Sequence, residues 1–80
     1  MNIEERLVQV YVSALNIDAK RVVDELEYNS IAEWDSTAHM MLIAELEAEF
    51  QVMFETDEII DMSNVAICKA LLRKHGVKFD

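Results

Sequence analysis

Apolar residues recur at helical spacing along most of the chain and fall into four runs. Ile3, Leu7, Val10 and Ala14, broadened by Val8, Tyr11 and Leu15, predict a first helix from Ile3 to Leu15. Asn2 and Glu5 at its start have the spacing of a capping pair, each side chain taking a backbone N–H from the other residue. A second stripe, Leu42, Ile43, Leu46 and Phe50, predicts a helix from about Ser36 to Gln51. A short helix is expected from Thr56 to Asp61, with Thr56 as its N-cap. The last starts after Ser63 and runs to His75. Val65, Ala66, Leu71 and Leu72 give it an apolar side, Arg73, Lys74 and His75 suit its negative end, and Gly76 stops it. Between the first two helices, Asn16 to Asp35 lacks a clean period. A helical turn at Ala19 to Val23, opened by Asp18, is expected there, with Leu26, Tyr28, Ile31 and Trp34 as anchors into the core. So long a connection in so short a chain is usually functional.

Composition agrees with the pattern. With no Pro and one Gly among 80 residues, turns are few, and the expectation is a single all-α domain over residues 1–80. Its architecture would be a small antiparallel four-helix bundle, three main helices and one short one, with a long loop after the first. Hydrophobic residues form 52% of the chain, too many for a disordered acidic tail. The single Cys excludes a disulfide framework within the chain and fits a reducing compartment. No run of about 18 apolar residues is present, so membrane insertion is not expected. The opening Met1-Asn2-Ile3-Glu4-Glu5-Arg6 lacks the basic-then-apolar order of a signal peptide, which points to the cytoplasm.

Charge separates the remaining classes. Seven Lys and Arg against 16 Asp and Glu leave a net charge of −9, which disfavours nucleic acids and anionic membranes as partners. No Lys or Arg occurs between Val22 and Cys68, a span carrying twelve acids. Such a one-sign surface is either a solvated face or a docking surface for proteins with basic patches.

Ser36 stands where the irregular segment gives way to the strongest amphipathic helix. Taken alone, it is an ordinary N-cap. Asp35, Ser36 and His39 supply the residue types of a hydrolytic triad, but the chain offers no oxyanion hole or orienting acid to go with them, and catalysis is not expected. Cys68 and His75 share a helix face, yet two ligands do not make a zinc site. Asp57, Glu58 and Asp61 lack the alternating spacing of a calcium loop, so no metal is assigned.

With the Asp35-Ser36 pair at a helix start, followed by Leu42, Leu46, Glu47 and Phe50 in a Leu-x-x-x-Leu-Glu-x-x-Phe pattern, the chain resembles the acyl carrier protein family. Ile3-Glu4-Glu5-Arg6 and the stretch from Glu58 to Val65 are similar to the family's first helix and to its junction between third and fourth helices, and the resemblance covers essentially the full chain. It implies a 4′-phosphopantetheine arm on Ser36, put there by a phosphopantetheinyl transferase that Asp35 helps to recognise. Acyl groups would ride on the arm as thioesters between acyl-loading and acyl-transferring or condensing enzymes, the carrier itself being a monomer and not an enzyme. Leu42, Leu46, Ile59, Met62 and Leu71 are the candidates for lining an acyl pocket, and for each the competing role is ordinary core packing.

The chain also departs from that pattern. Thr37 follows the serine, where the family usually has Leu or Met. Thr37, Met41, Ala44 and Ala48 fall opposite the core stripe, where fatty-acid carriers display acids, and Glu45, Glu47 and Glu49 flank them. An apolar strip with an acidic rim, with Glu47 as a contact, suits a dedicated partner. Trp34-Asp35-Ser36 with His39 is similar to stand-alone carriers of specialised lipid, polysaccharide or natural-product pathways. Two alternatives stay open: an aminoacyl or peptidyl carrier, and an acidic helical adaptor with no prosthetic group.

Overall fold

The computed structural model describes residues 2–79; positions 1 and 80 of the expected domain lie outside them. The fold is an all-α bundle of four helices: α1 (Ile3–Leu15), α2 (Ser36–Phe50), α3 (Thr56–Asp61) and α4 (Val65–Lys74), with one 3₁₀ turn at Ala19–Arg21. Among the described residues the only strand-like pairing is an isolated bridge between Glu27 and Asn64.

α1 forms where its stripe and cap predict. Asn2 Oδ1 accepts the Glu5 N–H at 2.8 Å, the Asn2 N–H donates to the Glu5 carboxylate at 3.2 Å, and Leu7, Val10, Tyr11, Ala14 and Leu15 are buried. α2 lays Leu42, Ile43 and Leu46 against it. The pair is antiparallel: Arg6, near the start of α1, donates to the Glu49 carboxylate at 2.7 Å and to its carbonyl at 2.8 Å, near the end of α2. α2 ends on Gln51, held in the left-handed region at φ 54° with no glycine to ease it. Burial of this α1–α2 seam, with Trp34, Met62, Val65, Cys68 and Leu72 closing over it, makes one continuous core.

The connection from α1 to α2 is sewn to the far end of the bundle. Val65 N–H donates to Leu26 O at 3.1 Å and Ala66 N–H to Asp24 O at 3.2 Å, so the loop satisfies amides that the start of α4 leaves open. Tyr28 N–H donates to Ser63 O at 2.8 Å. Lys69 of α4 reaches Asp24 at 2.8 Å and also pairs with Glu4 of α1. Burial of its stem lowers the ammonium pKa, but the two carboxylates outweigh this and leave it raised.

Three local expectations change. Asp35, not Ser36, is the N-cap of α2, and its carboxylate accepts the Ala38 N–H at 2.9 Å. A carboxylate one residue earlier reaches the third amide of the helix and carries a full negative charge to its positive end. Glu55 rather than Thr56 opens α3, in a reciprocal box with Glu58. Tyr28 is not a core anchor but 38% exposed, because the backbone bond to Ser63 fixes it at the mouth of a groove; Leu26 and Trp34 do the anchoring.

Candidate functional site

Ser36 is the first residue of α2 and is exposed. Because Asp35 does the capping, the serine hydroxyl is not spent on the helix, and the Ser36 and Thr37 amides have no backbone or side-chain acceptor among the described residues. An anionic group placed there would meet two free N–H donors and the positive end of a helix of 15 residues.

Beside Ser36 a groove of about 340 Å³ runs between α2 and α3, lined by Tyr28, Ser36, His39, Met40, Ile59, Ile60, Met62 and Ser63. Met40 and Ile60, 56% and 73% exposed, form its outer lips, and nearly buried His39 and Met62 form its inner boundary. A larger hollow of about 480 Å³ between α1 and α2 is lined by Arg6, Gln9, Val10, Ser13, Glu45 and Glu49. That lining is mostly polar or charged and away from Ser36, so the smaller groove suits an apolar ligand better.

At the inner boundary the hydrogen bonds fix a tautomer. Trp34 is fully buried and its indole N–H, which only donates, reaches His39 Nδ1 at 2.9 Å. Nδ1 therefore accepts, the proton sits on Nε2, and Nε2–H donates to Ile59 O at 2.9 Å. Ile59 O is free for this because the Ser63 N–H turns back to Asp61 O at 2.8 Å instead of continuing α3. Trp34 and His39 stack with an interplanar angle of 27°, and Tyr28 meets His39 edge-on at 5.1 Å. One chain of bonds thus joins loop, α2 and α3 beside Ser36.

The other end of α3 hangs on a charge. The Glu58 carboxylate takes the Glu55 N–H and both oxygens lie within 3.0 Å of His75 Nε2, with Lys74 at 3.1 Å. The Glu55 amide first, then His75, hold its pKa down to about 2; burial opposes them and Lys74 adds to them. Glu58 is therefore already engaged and is no spare ligand for a cation with Asp57 and Asp61.

The other residues singled out by sequence divide in two. Thr37, Met41, Ala44 and Ala48 are exposed together on the outer face of α2, and Met40 joins them. Their acidic flank is partly occupied: Glu47 accepts the Phe54 N–H at 2.9 Å and Glu49 is paired with Arg6. Of the pocket candidates, Ile59 and Met62 line the groove, whereas Leu42 and Leu46 lie fully buried in the core and Leu71 is half-buried outside the lining. Cys68 is buried and burial pushes its thiol up to about 11, so it is no nucleophile at neutral pH. Tyr11 has a buried hydroxyl with no hydrogen-bond partner; burial first, then the neighbouring thiol, raises its pKa well above the usual value. Met40, Ile60 and Tyr28 also line the groove, and little in the sequence marks them for it. Only the exposure of Met40 follows from its position on α2, one residue from Met41.

No protein-family model and no curated protein matches the chain. Among the described residues no helix is long and apolar enough to cross a membrane, and no three His, Cys, Asp or Glu side chains gather as a metal site.

Proposed function

We propose that the chain is an acyl carrier protein, modified at Ser36 by a 4′-phosphopantetheine arm and serving enzymes of a specialised biosynthetic pathway. The observation that carries this reading is the position of Ser36: first residue of the long helix, exposed, relieved of capping by Asp35, and on the lip of an apolar groove. Attachment would form a bond from Ser36 Oγ to phosphorus as the pyrophosphate link of coenzyme A breaks and the adenosine bisphosphate leaves, the hydroxyl proton passing to a base of the transferase. The residues present fit such a group: the Ser36 and Thr37 amides would hold the phosphodiester, and Met40, Ile59, Ile60 and Met62 would shelter an apolar chain. When bound, the arm supplies a thiol that holds the cargo as a thioester.

Thr37, Met41, Ala44 and Ala48, with Met40, form the surface offered to partner enzymes, and an apolar centre there in place of acids favours a dedicated partner over many shared ones. The same strip is what an adaptor without a prosthetic group would use. Intact mass after incubation with coenzyme A, magnesium and a broad-specificity phosphopantetheinyl transferase separates the two. The expected result is one phosphopantetheine on the wild type and none on Ser36→Ala. A folded wild type that gains nothing would leave the adaptor.

A further inference from the structure

The groove beside Ser36 and the apolar core behind it are separated by a polar bar. His39 and Met62 close the inner side of the groove, and the His39 Nε2–H bond to Ile59 O spans from α2 to α3 there. Behind it, Leu42 and Leu46 are packed to zero exposure. A chain passing inward between the two helices would have to part this bond. It would also disturb the His39 ring that accepts the indole N–H of fully buried Trp34, leaving that buried donor without a partner.

We propose that His39 is the positioning residue that limits cargo depth, so that the protein carries short acyl groups in the outer groove and does not draw long aliphatic chains into its core. This rests on the carrier reading. His39 does so without touching the reacting thioester: it holds the end of α3 at a fixed distance from α2, and the space of about 340 Å³ outside the bar is what remains for cargo. The lining of that space is mainly apolar, Met40, Ile59, Ile60 and Met62, and both ring nitrogens of His39 are already engaged, so a short aliphatic chain suits it.

The test loads the wild type and variants from butyryl-, octanoyl-, dodecanoyl- and palmitoyl-coenzyme A with the transferase, checks each by intact mass, and measures the half-life of the thioester in hydroxylamine. Each further methylene that becomes buried favours the sheltered form about four-fold, so access to the core would show as protection that climbs with length. In the wild type, protection should level off by octanoyl, changing less than about two-fold up to palmitoyl, and the emission of Trp34, the only tryptophan, should be the same in both forms. In His39→Leu, protection should keep climbing to palmitoyl, and His39→Gln, which keeps one acceptor and one donor, should restore the plateau. If His39→Leu fails to fold, the double variant Trp34→Phe/His39→Leu removes both polar partners together. Wild-type protection that climbs through palmitoyl, with a shift in Trp34 emission, overturns the depth limit and leaves the carrier reading intact. A plateau that persists in the folded Leu variant shows that His39 does not set it. Absence of any mass gain overturns the carrier reading and this inference with it.

Discussion

α1 with α2 and α3 with its neighbours are held by different forces. The first pair is closed by burial: five apolar side chains of α1 and three of α2 are lost to solvent along a seam with few polar groups. In α3, six residues long, the only buried residue is Glu58; Ile59 is half-buried and Ile60 exposed. So short a helix has no stability of its own. It is kept in place by directed bonds: Glu58 to His75 and Lys74, and Ile59 O to His39. A close-packed seam resists small displacement along its whole length, whereas a few directed bonds fix the short helix only at the points where they act. Ser36 sits where the α1–α2 pair meets α3, and on the proposed carrier reading that place would hold the anchor still while the groove admits cargo.

The contrast is sharpest in truncations. Leu46→Ala removes a fully buried side chain from the seam and should cost about 2–5 kcal/mol in a urea melt, most or all of the stability of a domain this small. Ile60→Ala on α3 should stay within about 0.5 kcal/mol. Comparable losses at both positions would abolish the distinction. Acid should undo α3 first. Glu58 has its folded pKa depressed from 4.5 to about 2, so its stabilising contribution is complete above about pH 4.5 and drains away as pH falls through about 2. The wild type should exceed Glu58→Gln in stability at neutral pH, and the gap should close as the melts are taken to pH 2. A gap independent of pH would mean that the carboxylate charge is not what holds the helix.

Smaller effects divide the two residues at the head of α2. Asp35→Ala loses the cap and should cost about 1 kcal/mol, whereas Ser36→Ala should change stability by less than about 0.5 kcal/mol, and paired thermal melts decide it. The reverse order would return the capping role to the serine. Gln51→Gly, which relieves a left-handed residue at the end of α2, should stabilise by about 0.5 kcal/mol or slightly more; a loss would show that the Gln51 side chain compensates for its backbone.

These distinctions were unevenly legible in the sequence. The helices were, because apolar spacing and end signals agree: Asn2 with Glu5 at one end of α1, Leu42 through Phe50 along α2, Gly76 after α4. The exposed strip on α2 followed from the same geometry. Which residue caps α2 did not, since Asp35 and Ser36 are both good caps and only the backbone decides which one stands just outside the first turn. The chain from Trp34 through His39 to Ile59 was illegible for a different reason. Its last acceptor is a main-chain carbonyl 20 residues away, and any residue type would have supplied one. Tyr28 misled because an aromatic in an irregular stretch reads as an anchor, and its exposure is set by a backbone bond to Ser63.

The stitching of the long loop to α4 has one more consequence. Surface connections usually absorb insertions and deletions with little penalty. Here Asp24 and Leu26 are spoken for by amides of α4 and Trp34 by the imidazole of α2, so the nine residues between Leu26 and Ser36 act as a ruler and not as slack. Adding or removing a residue there would rotate Ser36 about its own helix, or tear the seam at Val65, and homologues of this protein should therefore keep that interval even where they change every residue within it.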